Sequence, residues 1–232
     1  MSASATTGVI ASAIAPGGGA WSPSDLTSLR GWWDFDAANV TKDGSDNISA
    51  VADLAGGAAD LTQGSGSIQP LWVSEFQNSL DVGSHYNGQR LSAAIDTSIT
   101  GDCTIAISVE RNANKNIWCA STGYPDGELK HVNGTFYFGT LSQGGFAAYE
   151  WVVIVASIDV TNSLRILRIN GSAVGSEAIG SYGPIEGIVT GARHDGSNSN
   201  GTVRIGELLV CDSVLTGDDL TNLETYLSDK WL

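Results

Sequence analysis

The side chains able to do chemistry are few and scattered. Three histidines, His85, His131 and His194, fall in different segments. A His-centred catalytic group or a zinc site needs such residues brought together at defined spacing, and no nucleophile elbow, zinc-ligand pair or phosphate loop occurs. The cluster Asp43-Gly44-Ser45-Asp46-Asn47 opens like a calcium loop, but the twelfth position holds Leu54 where a bidentate glutamate is required. It reads as a turn, and no metal or other cofactor is expected. A sugar site would use exposed aromatics flanked by Asp, Asn and Gly. Candidates in predicted loops are His85, Tyr86, Tyr124, Tyr182, His194 and Asp195. Ordinary loop packing would also account for each of them.

Composition limits the partners. Lys and Arg number 11 against 25 Asp and Glu, a formal charge of −14. Such a chain repels phosphate backbones, so nucleic-acid binding is not expected. No apolar run approaches the ~18 residues of a membrane helix. The N-terminus shows no basic region followed by an apolar stretch, so no secretory signal is expected. Three cysteines, Cys103, Cys119 and Cys211, sit in or beside apolar segments and read as buried free thiols made in a reducing compartment. With 29 glycines and 16% charged residues, the 232-residue chain suits many short strands joined by tight turns.

The elements that must position these residues follow from hydrophobic period. Residues 1–20 are Ala, Ser, Thr and Gly with a few apolar side chains, a segment unable to fold alone. It reads as a flexible arm, and Val9, Ile10 and Ile14 could dock on a neighbour. Ser22-Pro23-Ser24-Asp25 predicts a capped, short helix that Gly31 ends before Trp32, Trp33 and Phe35 enter a strand. Residues 55–70 are Gly- and Ser-rich, read as an exposed connection, and His85-Tyr86-Asn87-Gly88 as a hairpin or tight turn. Thr104 to Arg111 alternates with period two and should bury one face. Trp151 to Val160 is apolar throughout, predicting a strand covered on both sides. Leu164 to Val174 predicts a hairpin turning through Asn170-Gly171, with a bulge or exposed edge because Arg165 and Arg168 face opposite ways. Thr202 to Cys211 predicts the last strand, in which Glu207 interrupts an apolar run and must find a partner. Thr216 to Asp219 is a helix start, and Leu220, Leu223, Tyr226, Leu227 and Trp231 keep helical spacing, giving an amphipathic helix that must dock on the sandwich.

The opening LRGWWDFDAANV, the return DG…NISAVADLAGGAADLTQ, the segment IQPLWV and the closing RIGELLVCDSVLTGDDLTNLETYLSDKW resemble the laminin G-like, concanavalin A-like jelly-roll family. Glu207, Tyr226, Leu227, Lys230 and Trp231 match the way its members end, while Ala52 stands where a tryptophan is expected. The likeness spans roughly residues 25–232. It implies an all-β, two-sheet antiparallel jelly-roll sandwich over residues 21–232, with a short N-terminal helix and a C-terminal amphipathic helix. One branch of the fold hydrolyses glucans through a Glu-x-Asp-x-x-Glu strand, but Glu110, Glu150 and Glu207 each lack a second acid two residues on, so no enzyme is expected. Domains of this kind behind a low-complexity arm occur in virion proteins of tailed bacteriophages. The resemblance therefore implies a head decoration or fibre protein, assembled in the host cytoplasm into the virion. Its partners would be capsid or tail proteins held through the arm, a further copy of itself in a homo-oligomer, and a cell-surface glycan. A tail adhesin or a free carbohydrate-binding module is the alternative.

Overall fold

Most of the segments read from period two fold as strands, and their pairing closes them into two antiparallel sheets. The computed structural model describes residues 21–111, 115–120, 128–180, 182–192 and 202–232. In chain order the strands among these residues are β1 (Leu29–Asp34), β2 (Val40–Lys42), β3 (Ile48–Val51), β4 (Leu61–Thr62), β5 (Leu71–Gln77), β6 (Leu80–Tyr86), β7 (Leu91–Ile99), β8 (Cys103–Arg111), β9 (Lys115–Ala120), β10 (Glu128–Val132), β11 (Thr135–Phe138), β12 (Leu141–Gly144), β13 (Glu150–Asp159), β14 (Leu164–Ile169), β15 (Ser172–Ala178), β16 (Ile185–Thr190) and β17 (Thr202–Cys211), followed by helix α1 (Gly217–Trp231). One sheet runs β15-β14-β13-β8-β17-β6-β5, and β1 pairs with the stretch of β17 beyond β6. The other runs β12-β11-β10-β9-β16-β7-β4-β3-β2. This is a jelly-roll-like sandwich, the fold class expected from the sequence.

Alternate residues of each sheet point inward and interlock. Trp33, Phe35, Ile107, Trp118, Phe136, Ile154 and Leu208 belong to this inner core. Each such side chain contributes about 1.5–3 kcal/mol on burial, set against the entropy of ordering it. A second core lies on the outer face of the first sheet, where Leu223, Leu227 and Trp231 of α1 cover Ala106, Trp151, Val153, Val155 and Leu209. The helix therefore buries β13 on both faces, as its unbroken apolar run requires. The outer face of β8, which the alternation alone leaves to solvent, is buried as well: Ala106 lies in this second core, Thr104 bonds Ser157 and the Ser213 carbonyl, and Glu110 pairs with Arg204.

Local signals map onto local structure. Ser22 and Asp25 form a capping box around one 3-10 turn, Pro23–Asp25, with Asp25 accepting from the Ser22 N–H at 2.9 Å. Thr216 occupies the N-cap position of α1, but its side chain makes no capping bond. Asn170 and Gly171 take φ of 49° and 73°, the left-handed pair that a tight β14–β15 hairpin needs. Arg165 and Arg168 do fall on opposite faces, with a register shift between Leu167 and Arg168. Arg165 pairs with Glu177 at 3.1 Å, and Arg168 reaches Glu224 of α1 at 2.7 Å.

Several expectations change. The N-terminal helix is a single turn that stops at Asp25, and Gly31, expected to end it, lies inside β1. The 55–70 connection is not all exposed, because it contains β4, and Leu61 is fully buried between the sheets. Of the two readings of the turn after Tyr86, the tight turn holds, closed by a Gln89 N–H to Tyr86 carbonyl bond at 2.9 Å, and the hairpin does not, because the turn joins β6 of one sheet to β7 of the other.

Candidate functional site

The site begins with a bulge. Ile205 pairs with Val109 and Glu207 with Ser108, so Gly206 is an extra residue in β17. Without it Glu207 would follow Val203 and Ile205 into the inner core. With it, the carboxylate turns to the outer face, beside its β1 partner Asp34. Gly206 is also required by its neighbour, since a Cβ there would run into the indole of Trp231. That indole lies flat over the bulge and stacks on Trp151, with centroids 5.3 Å apart and planes 17° from parallel.

Glu207 is 0% exposed. A carboxylate buried this way must be matched by donors. Its Oε1 accepts from Trp32 Nε1 at 2.6 Å and Tyr226 Oη at 2.9 Å, and its Oε2 from Lys230 Nζ at 2.9 Å and Trp231 Nε1 at 3.1 Å. A carboxylate offers about four lone-pair positions, so Glu207 is saturated. Tyr226, Lys230 and Trp231 come from the last turns of α1, and Trp32 from β1. The cluster thus fastens the terminal helix to the bulge. Gln77 and Asn78 complete the join, donating to the carbonyls of Trp231 at 2.8 Å and Lys230 at 3.1 Å, which the helix end leaves unpaired.

Lys230 also donates to Asp34 at 2.7 Å and meets Tyr226 Oη at 3.3 Å. Burial opposes its charge, but the carboxylates of Glu207 and Asp34 outweigh that, and its pKa is raised. Burial, and then the charge of Glu207, push up both Asp34 and the Tyr226 phenol. These groups bind each other, and the Glu207 carboxylate keeps no free position for proton transfer to a substrate. The Asp43 carboxylate is spent likewise, accepting from Asn47 Nδ2 at 2.9 Å and the Ser45 N–H at 2.8 Å, which lowers its pKa. Among the described residues no group of three or more His, Cys, Asp or Glu side chains could hold a metal ion. No helix there is long and apolar enough to cross a membrane.

The solvent side of this clamp is a cavity of about 480 Å³ lined by Trp21, Asn222, Thr225, Tyr226, Asp229 and Lys230. Trp21 stands edge-on to Tyr226 with centroids 5.9 Å apart. Asn222, Thr225, Tyr226 and Asp229 recur at helical spacing along one stripe of α1. An aromatic corner bordered by an amide, a hydroxyl and a carboxylate can hold a small polyhydroxylated molecule.

The loop aromatics singled out by sequence do not assemble. Tyr86 is exposed at the end of β6, whose partner Thr202 lies at the Arg111 end of β8. Tyr182 is half-buried against the inner core, with its hydroxyl 3.6 Å from Cys103 Sγ at the other end of β8. Eight residues of extended strand separate those ends, about 26 Å. His85 is a strand residue, not a loop residue. It is buried, with Nδ1 3.2 Å from the Gly83 carbonyl and Nε2 3.1 Å from Thr190 Oγ1. Tyr124, His194 and Asp195, and the arm residues Val9, Ile10 and Ile14, lie outside the described residues. Sequence reasoning missed Trp21, Asn222, Thr225 and Asp229. The available signal was the lone tryptophan just before the Ser22 cap, with the polar stripe of α1 read as more than a solvated face.

No family model matches the chain, and no curated protein matches it. Solved structures do. The botulinum neurotoxin serotype D binding domain superposes with a TM-score of 0.58 at 10% identity, over 86% of this chain and 52% of that one. A ligand binding domain of the same serotype, in complex with N-acetylneuraminic acid, gives 0.56 at 10% identity over 86% and 51%. A botulinum neurotoxin type C structure, whose cell entry is described as dependent on two ganglioside molecules, gives 0.54 at 10% identity over 88% and 52%. This chain spans about half the length of those structures. At such identity the likeness concerns the fold alone, and it agrees with the strand pairing: the chain is an antiparallel jelly-roll-like β-sandwich.

Proposed function

We propose that this chain is a non-catalytic, lectin-like recognition module that holds a glycan in the cavity between Trp21 and α1. The observation that carries the reading is the contrast within one corner of the fold. The buried Glu207 carboxylate is saturated, whereas the aromatic and polar side chains just outside it surround open space. Catalysis by a carboxylate pair needs free lone pairs and access, and recognition needs only a shaped, mixed surface. The fold neighbours, among them a complex with N-acetylneuraminic acid and a toxin whose cell entry depends on gangliosides, support glycan as the ligand class. Saturation-transfer NMR of the full chain with a panel of methyl glycosides tests the reading. At least one saccharide is expected to receive saturation. No transfer to any of them at millimolar concentration, together with hydrolysis of a glycan substrate, would replace it with an enzyme.

The wider setting proposed is a tailed-phage particle, on the head surface, with residues 1–20 anchoring the sandwich to a capsid neighbour. This rests on the sequence resemblance and on the small-residue arm. Mass spectrometry of purified particles of the source phage should find the chain. Its absence from them would remove the setting and leave the recognition module.

A further inference from the structure

We infer that the Trp21–Tyr226 cavity selects a neutral sugar and rejects an acidic one, an inference that rests on reading the cavity as a glycan site. Among side chains, the strongest partner of an anion is a cation with donors to spare. The cation lining this cavity is Lys230. An ammonium has three N–H donors. Those of Lys230 are directed to Asp34 Oδ2 at 2.7 Å, Glu207 Oε2 at 2.9 Å and Tyr226 Oη at 3.3 Å, so a ligand carboxylate would have to displace one of these partners.

The charges facing the cavity point the same way. Asp229 and Lys230 of α1 line it, Asp34 of β1 and Glu207 of β17 lie behind it on Lys230, and Trp21 and Tyr226 bring aromatic surface. Asp34, Asp229 and Glu207 give −3 and Lys230 gives +1, a local balance of −2 within a chain of formal charge −14. An incoming carboxylate meets net repulsion. A neutral pyranose does not. Its C–H face can lie on the Trp21 indole, and its hydroxyls can donate to the exposed Asp229 carboxylate and pair with the Asn222 amide and the Thr225 hydroxyl. The volume is in the range of small-molecule sites.

The test uses the full chain and its Trp21→Ala and Asp229→Asn variants, probed by NMR titration at low salt. The probes are the methyl glycosides of glucose, galactose, mannose, N-acetylglucosamine and N-acetylneuraminic acid. At least one neutral glycoside should bind the native chain, at least ten-fold more tightly than the N-acetylneuraminic acid glycoside, and lose ten-fold or more in Trp21→Ala. Asp229→Asn should weaken the neutral ligand and narrow its advantage over the acidic one, a reversal that a purely structural role would not produce. Binding of the acidic glycoside equal to or tighter than every neutral one, lost in Trp21→Ala, would overturn the selectivity while leaving a glycan module. Neutral binding untouched by Trp21→Ala would overturn the assignment to this cavity. Failure of every glycoside to bind would overturn the glycan reading itself.

Discussion

Replacing Glu207 with Gln should loosen the terminal helix more than any surface change of similar size. The amide keeps the shape of the carboxylate but exchanges one acceptor oxygen for an NH2 group. Trp32 Nε1 donates to one carboxylate oxygen and Trp231 Nε1 to the other. Neither indole can turn its N–H into an acceptor, so either orientation of the amide sets donor against donor. One buried unmet N–H costs about 1–3 kcal/mol. The same change removes the charge that faces Lys230 at 2.9 Å, and breaking a buried ion pair costs about 3–5 kcal/mol in all. Asp34 remains beside Lys230 at 2.7 Å, which keeps the loss toward the lower end, about 3–4 kcal/mol. Domains of this size lose about 2–4 °C per kcal/mol, so Tm should fall by about 6–16 °C. The assay is urea unfolding followed by tryptophan fluorescence, with amide exchange across α1 as the local readout. Arg30→Ala serves as the comparison. Its pairing with Asp212 has the Arg30 side chain 44% exposed and should be worth less than about 1 kcal/mol. If Glu207→Gln cost no more than Arg30→Ala, or left exchange in α1 unchanged, Glu207 would not be what fastens the helix.

Gly206→Ala should cost about 1–3 kcal/mol, because the new methyl displaces the Trp231 ring from its stack on Trp151, and near-ultraviolet circular dichroism should report the loss of that stack. Alkaline pH should weaken the fold. Burial raises the Cys103 thiol from 9.0 to about 11 and the Cys211 thiol from 9.0 to about 12, so above pH 9 the unfolded chain releases protons that the folded chain retains. Stability therefore falls as pH rises, by about 1.4 kcal/mol per pH unit for each thiol, until the folded values are reached. Lys230, raised above its ordinary 10.5, adds a loss of the same sign at higher pH. Urea midpoints at pH 8 and pH 10.5 should differ in the native chain and differ less in a Cys103→Ala/Cys211→Ala variant, and an equal drop in both would refute the thiol linkage.

Much of the scaffold was legible because its signals are local. Leu220 to Trp231 keeps helical spacing, the apolar run of β13 demands cover on both faces, and Asn170-Gly171 specifies its own turn. β4 and β7 were harder. Leu61 sits alone among Gly, Ala and Ser, and the inward residues of β7 include the small Ala93 between Leu91 and Ile95, so their alternation carries little hydrophobic contrast. The need of Glu207 for a partner could be read from its place in an apolar strand, but the identity of the partners could not. That identity depends on a one-residue bulge at Gly206, which decides the face to which every later side chain of the strand turns. The cavity was hidden for a related reason. Asn222, Thr225 and Asp229 have the spacing of any solvated helix face, and only the return of Trp21 across Tyr226 makes a wall of it. Tyr86 and Tyr182, which looked equivalent as loop aromatics, were separated by the length of β8.

The most direct measurement follows the indole N–H resonances of the full chain while methyl glycosides are added. A site at the cavity predicts that Trp21 Nε1 shifts in proportion to occupancy, together with the backbone of Asn222, Thr225 and Asp229, while the buried indoles of Trp33 and Trp118 stay where they are. Saturable shifts centred on Tyr86 or Tyr182, with Trp21 unmoved, would contradict it.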